Sequence, residues 1–258
     1  MSYAQPQTIA SDLLSRLELL FLEDDAPGDF AKRQLMRDAE ALAKADAATA
    51  SLVKAGISAL AWDFEEADRW INNALRLSNS VITRDNAALT YKQLNRLDKS
   101  AEVSLATLKM APMDTEVVNH TLSYLIWSGQ LENALTLYQR ALDNNIGLSA
   151  ETVNPGPYLE TMASLGIPQH RLIFEINAAY DVLARNNKRV RRLTAGIDID
   201  PEDGTRSIHF GLGFNGSLND EMRMESQLAQ LFAAEPGWNP SALSVELVYI
   251  SENADQFA

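Results

Sequence analysis

Residues 61–78 read AWDFEEADRWINNALRLS, residues 94–112 read LNRLDKSAEVSLATLKMAP, and residues 127–145 read WSGQLENALTLYQRALDNN. Laid over one another, they put Ala67, Ala101 and Ala134 in one column, Ile71, Leu105 and Tyr138 in a second, and Ala74, Leu108 and Ala141 in a third. Just upstream, Ile57, Tyr91 and Tyr124 make a fourth column, and Leu60, Leu94 and Trp127 a fifth. Every column advances by 34 residues and then by 33. A step shared by five columns marks an internal repeat of roughly 34 residues. Each unit divides into two helical stretches. In the third, Asp114 can cap the first stretch, Glu116 sits in its first turn, and Gly129 breaks the chain. Leu131, Ala134, Leu135, Tyr138, Ala141 and Leu142 then follow the i, i+3, i+4, i+7 pattern of a helix with one apolar face. A lone helical hairpin cannot bury such a face, so successive units must stack. Small residues at 67, 101 and 134 let the two helices of a hairpin approach closely, and large ones at 57, 91 and 124 fill the space to the next unit.

Over residues 47–145 the columns resemble the tetratricopeptide repeat family: the period, Ala at the helix-contact position, a large residue four positions on, and Ala or Leu seven positions on. Three such hairpins are expected. The sequence departs from the family at the repeat ends, where Asn79 replaces the closing Pro and Pro112 comes one position early. It departs also in the turns, where Phe64 becomes Leu131 and the middle unit has Asp98. The resemblance implies that the first helix of each hairpin lines a concave, partner-binding surface. Carried over by column, that groove would be lined near Leu52, Gly56 and Ala59, then Asn86, Thr90 and Gln93, then Asn119, Ser123 and Ile126. Asn, Gln and Ser at these places can hydrogen-bond an extended peptide backbone. The family's clamp for a C-terminal carboxylate uses Lys, Arg and Asn. Leu52 and Gly56 stand where polar or basic residues would be needed, so no such clamp is implied.

Outward from the repeats, residues 1–46 hold two amphipathic stretches, one over Ile9–Glu23 and one opened by Asp29 as N-cap, and are expected to cap the end of the stack. Phe30 lies 34 residues before Phe64, but Arg33 occupies the Ala column. Residues 146–192 hold a short helix between Pro and Gly breaks and a long one opened by Pro168, with Leu172, Ile173, Ile176, Ala179, Tyr180 and Leu183 as its stripe. This pair reads as a fourth, divergent hairpin or C-terminal cap of the solenoid.

Residues 193–258 differ in kind. They contain no Lys, two Arg and eleven acids, and so carry nine of the thirteen net negative charges of the 258-residue chain. LTAGIDID and TRSIHFGLGF alternate, with Ile208, Phe210, Leu212 and Phe214 on one face and Glu202-Asp203-Gly204 as the turn between them. A helix over Asn219–Ala233 and a third strand carrying Leu243, Val245, Leu247 and Tyr249 complete a small β-β-α-β domain. The fold class is therefore mainly α, an α-solenoid of helical hairpins followed by a small α+β domain.

Composition removes several chemistries. The chain has no Cys, which excludes thiol nucleophiles, disulfides and Cys-ligated metal. Its three histidines, His120, His170 and His209, are far apart in sequence, so no metal or cofactor is expected. With 35 acidic residues against 22 basic, nucleic acid and anionic lipid are repelled. No window is apolar enough to span a membrane, and the opening MSYAQPQTIA has no basic leader; a cytoplasmic location is expected.

Four features are weighed as chemistry. Gly211, Gly213 and Gly216 spell G-x-G-x-x-G, but the alternating strand reads half-buried, too little chain follows for a dinucleotide fold, and Glu252 lies 36 residues on rather than about 20. Arg185, Lys188, Arg189, Arg191 and Arg192 form the one dense basic run, readable as a solvated helix end, as a dock for the acidic C-terminal domain, or as a grip on an external anion. Asp198 and Asp200 share a strand face and could serve as an acid–base or metal pair with His209 nearby, but they read more simply as a solvated face. Trp62, Trp70, Trp127 and Trp238 read as packing residues, His120 as a packed or groove residue, and His209 as exposed.

The reading is a non-catalytic scaffold that binds a protein or peptide partner, neutral or basic, through the groove. Two alternatives stand: a small enzyme or ligand-binding domain at the C-terminus, or an acidic regulator of a nucleic-acid-acting protein. A solenoid end left uncapped can self-associate, which leaves a homo-oligomer open.

Overall fold

Backbone N–H groups at a helix start need acceptors, and short polar side chains supply them at the places the repeat requires. The computed structural model describes residues 6–23, 28–202, 204–234 and 242–250, which form eleven helices and three strands. Helix α1 spans Pro6–Glu23 and α2 Asp29–Leu42; α2 takes Gly28 as N-cap, so the expected cap Asp29 lies in the first turn instead. In α3 (Ala47–Leu60) the Asp46 carboxylate accepts from the Thr49 amide at 3.0 Å. Asp63 does the same for α4 (Phe64–Leu77), Ser80 for α5 (Val81–Gln93) and Asp114 for α7 (Thr115–Trp127). Between them lie α6 (Leu97–Met110) and, after α7, α8 (Leu131–Asp143). Each hairpin turns at one residue in the left-handed region: Trp62 at φ 55°, Asn95 at 57°, Gly129 at 74°.

These turns correct the register of the columns. The second helices begin at Phe64, Leu97 and Leu131, a step of 33 followed by 34, the reverse of the sequence columns. The cause is the first helix of the middle hairpin: α5 has 13 residues where α3 has 14, so its turn arrives one residue early. Leu97, 1% exposed, therefore fills the turn position assigned to Asp98, and Asp98 faces outward and pairs with Arg96 at 3.0 Å. One position along, Ser100 is fully buried beside Ala101 and donates its hydroxyl to the Ala88 carbonyl of α5 at 2.8 Å.

The chain divides into two compact bodies, one up to Ala111 and one from Pro112. In the first, consecutive helices pack on one another in a solenoid-like series, and α3 lies against α1, α2, α4 and α5. One apolar cluster joins Leu13 and Leu17 of α1, Leu35 and Ala39 of α2, Ile57 and Leu60 of α3, and Ala67 of α4. Another joins Leu52, Ala55, Ile71, Ala74, Ala87 and Tyr91. Between the two hairpins, the Tyr91 hydroxyl donates to Asp68 at 3.0 Å and Lys99 pairs with the same carboxylate. Lys99 and Tyr91 thereby hold the Asp68 carboxyl below the usual range against the opposing effect of its burial.

The second body holds α7 and α8, then α9 (Gly156–Ser164), α10 (Gln169–Arg185), β1 (Val190–Ile199), β2 (Arg206–Asn215), α11 (Leu218–Ala233) and β3 (Leu243–Ile250). β2 is the central strand, antiparallel to β1 and parallel to β3. The predicted turn between β1 and β2 forms, with Gly204 in the left-handed region. A capping box of Ser217 and Asp220 starts α11, the crossover that makes the parallel pairing of β2 and β3 feasible. Ile208, Phe210, Leu212 and Phe214 are at most 1% exposed, as the alternation predicts. Tyr158 of α9 stacks near Phe210, at 5.9 Å between ring centres, and donates its hydroxyl to the Ala195 carbonyl. The outward N–H groups of β3 at Leu247 and Tyr249 are taken by carboxylates of α11, Glu225 and Glu221.

Two expected boundaries move. β1 begins at Val190, so the limit placed between residues 192 and 193 falls inside a strand. α9, expected with α10 to close the solenoid, packs on both α8 and β2, and α10 packs on α11 and β3, so the pair touches the last repeat helix and the sheet alike. α10 also abuts the α7–α8 turn: the Tyr180 hydroxyl donates to the Trp127 carbonyl at 3.1 Å, and a Cβ on Gly129 would meet the Ile173 backbone at 3.3 Å. The long helix is thus buried on most sides, and the division of the chain comes after Ala111, within the expected three-hairpin array.

Candidate interaction surface

The groove assignment depends on how much of the first helix in each hairpin stays open. On α3 almost nothing does: residues 50–53 and 55–60 are all buried. Leu52 packs in the cluster toward α5, Ala59 is fully buried, and a Cβ on Gly56 would sit 2.9 Å from a Leu17 methyl of α1. The first set of groove positions is therefore covered, because α1 packs on α3.

On α5 the row survives in part. Asn86 and Gln93 are half-buried; Thr90 is buried and spends its hydroxyl on the Asn86 carbonyl at 2.8 Å. On the same stripe, four and seven positions from Asn86 and Ile82, lie two apolar residues the column reading passed over: Ile82 is 74% exposed and Leu89 42%. Ile82, Asn86, Leu89 and Gln93 follow the i, i+4, i+7, i+11 spacing of one helix face. Apolar residues in a repeat are taken for core by default, which is why sequence reasoning missed them.

On α7 the last set is mostly spent. Asn119 donates its amide to the carbonyls of Thr115 and Gly147 and accepts from the Ser149 amide at 2.9 Å, tying the segment after α8 in place. Ile126 is buried and Ser123 half-buried. His120 is exposed, its ring 6.3 Å from Tyr124.

The basic run does not make one patch. Arg185 ends α10 in solvent, and Asn187 turns the chain at φ 55°. Lys188 then donates to the Asn215 carbonyl at 3.1 Å and lies 3.6 Å from Asp220, Arg189 is 3% exposed, and Arg191 and Arg192 belong to β1. Only Arg185 fits the solvated helix end, while Lys188 docks internally on the C-terminal segment.

On the sheet, Asp198 and His209 do meet, Oδ2 to Nδ1 at 3.2 Å, with the His209 ring lying over Gly196. His209 is partly exposed. Asp200 stays in the turn, accepting from the Glu202 amide. Among the described residues no group of three His, Asp or Glu side chains could hold a metal ion. The glycine motif needs a correction of its ground: β2 is central and has a parallel neighbour, so the strand context of a dinucleotide fold is partly present. The space is absent. Thr194 fills the place of a Gly211 side chain, Ile250 that of Gly213 and the Phe214 ring that of Gly216, so the motif is occupied by the protein's own side chains. Glu252 and Trp238 lie outside the described residues. No described helix is long and apolar enough to cross a membrane.

Comparison with family models, with curated proteins and with solved structures gave no match.

Proposed function

We propose that the protein is a non-catalytic scaffold that binds a neutral or basic segment of a protein partner along the outer stripe of α5. The observation that carries this reading is the row Ile82, Asn86, Leu89 and Gln93, in which two exposed apolar residues alternate with two half-buried amides on one helix face. Apolar anchors with flanking hydrogen-bonding groups suit a partner helix or extended peptide. The tetratricopeptide-like repeat supports the same reading, since hairpins of that family offer the first helix of each pair to partners. The net charge of −13 favours a partner without excess negative charge. A cytoplasmic adaptor is the setting this reading assumes.

Photo-crosslinking tests it. A benzoyl-phenylalanine at position 89 is expected to trap a partner in extracts of the native source, and the same probe at exposed Glu132 is not. The substitution Asn86→Ala is expected to weaken the captured interaction about fivefold, as one lost hydrogen bond would. Equal adducts at both positions, or none at 89, would refute the assignment.

A further inference from the structure

β1 is an edge strand: β2 lies on one side of it, and no strand lies on the other among the described residues. Its register with β2 is regular from Arg192 to Ile199, and one step further the Asp200 N–H donates to the Thr205 carbonyl at 2.8 Å. Hydrogen-bonded pairs alternate along an antiparallel ladder. Arg192, Thr194, Gly196 and Asp198 therefore spend their backbone groups on β2, while the N–H and C=O groups of Leu193, Ala195 and Ile197 point away from it. The Tyr158 hydroxyl accordingly reaches the Ala195 carbonyl, from the face on which Phe210 lies. A carbonyl has two lone pairs, so Ala195 keeps one for a strand in the plane of the sheet. The β3 edge differs, since Glu221 and Glu225 take its outward amides at Tyr249 and Leu247.

Side chains on β1 alternate with the same period. Leu193, Ala195 and Ile197 lie opposite Leu212, Phe210 and Ile208, on the face that carries the core, and are half-buried. Arg192, Thr194 and Asp198 are exposed on the other face, and the Asp198 side chain is 73% exposed beside His209. Read outward from Ala195, the segment complements its own reverse. One step away stand the small Thr194 and Gly196, two steps away the apolar Leu193 and Ile197, and three steps away the oppositely charged Arg192 and Asp198. Turned about a two-fold axis through Ala195, a second β1 would set Leu193 against Ile197 and Arg192 against Asp198, each twice. In that register the outward-facing residues meet one another, and each such pair can exchange two hydrogen bonds. A slip of one residue turns the bonding groups and the faces away, and a slip of two parts Arg192 from Asp198.

We propose that the β1 edge pairs, antiparallel and about a two-fold axis at Ala195, with β1 of a second copy of this chain, joining the two sheets edge to edge. The complementary charges select that occupant, because Arg192 and Asp198 both find an opposite partner when the incoming strand is the same segment reversed. Sedimentation equilibrium of the full chain is expected to show a monomer–dimer equilibrium in about 0.15 M salt, where repulsion between the acidic copies is screened beyond ~8 Å. Arg192→Asp alone, or Asp198→Arg alone, puts like charges opposite at two places and is expected to weaken dimerisation at least about tenfold. An equimolar mixture of these two variants is expected to associate again as a mixed dimer, because the charges are then opposite at both places. Ala195→Pro removes an outward N–H that β2 does not use, and is expected to abolish the dimer while the circular dichroism spectrum is unchanged. Should Ala195→Pro fail to fold, the charge variants decide. The proposal is overturned by a chain that stays monomeric up to about 100 μM, by a dimer indifferent to either charge reversal or to a folded Ala195→Pro, or by a mixture no more associated than its components.

Discussion

In the first body α3 is walled in through residues as small as Ala55, Ala59 and Ala67; in the second, the sheet is covered through Phe210, Leu212, Phe214, Met224 and Phe232. The first arrangement works by backbone approach. Its helices come together at small residues, with Leu17, Leu35, Ile57, Leu60 and Ile71 filling the spaces around those contacts. The second works by bulk, because a sheet and its covering helices are spaced widely enough that long side chains must fill the layer between them. One interior should be most sensitive to enlargement, the other to truncation.

The sharpest way to break that contrast is a pair of substitutions read by hydrogen exchange. Ala67→Leu is expected to cost about 3 kcal/mol by overpacking and to lower protection across α3–α6 while sparing β1–β3. Leu212→Ala is expected to cost between about 2 and 5 kcal/mol by leaving a cavity, with the opposite pattern of amides. Equal loss in both bodies for either variant would show that the two interiors do not respond separately.

A second test sets the buried acid of the second body against the paired acid of the first. Glu175 has its carboxyl raised in the folded chain above its ordinary value of 4.5. As pH rises past 4.5 the unfolded chain releases this proton while the folded chain keeps it, so stability falls until the folded carboxyl also ionises. Asp68 is shifted the other way; it adds stability above its ordinary value of 3.8, which is lost as pH falls through its lower folded value. Urea unfolding followed from about pH 4 to 8 should show a shallower decline in Glu175→Gln than in the parent chain. Superimposable profiles would contradict the burial of Glu175.

The smallest effect is expected at the Asp68–Lys99 pair between the hairpins, where both partners are about one-third exposed. Lys99→Met should cost no more than about 1 kcal/mol in thermal unfolding, since solvent screens the pair and Tyr91 continues to bind Asp68. A larger loss would mean that the hairpins of the first body depend on polar clips as much as on alanine contacts.

Much of this contrast could be read from the chain. The caps at Asp114 and the apolar row of β2 are local features, written in neighbouring residues, and both appear where the pattern puts them. The slip at Leu97 was hidden because it comes from one missing residue in α5, and Ala101 offers a plausible column match beside the true contact at Ser100. The covering of Leu52, Gly56 and Ala59 was hidden for another reason: nothing within α3 announces that Leu17 will lie on it. The same holds for α10. Its stripe at Leu172, Ile176, Ala179 and Leu183 suggests one buried face, whereas contacts on further sides bury Glu175 as well. Arg171, four residues earlier, was the available hint of a carboxylate needing a partner.

The carboxylates of Glu221 and Glu225 on β3 set a limit on growth. Because the amides of Leu247 and Tyr249 are already engaged, a strand from another molecule finds no donors at those two positions of the β3 edge. Accretion of a further strand on that side of the sheet is thus discouraged by two glutamates reaching across from the crossover helix.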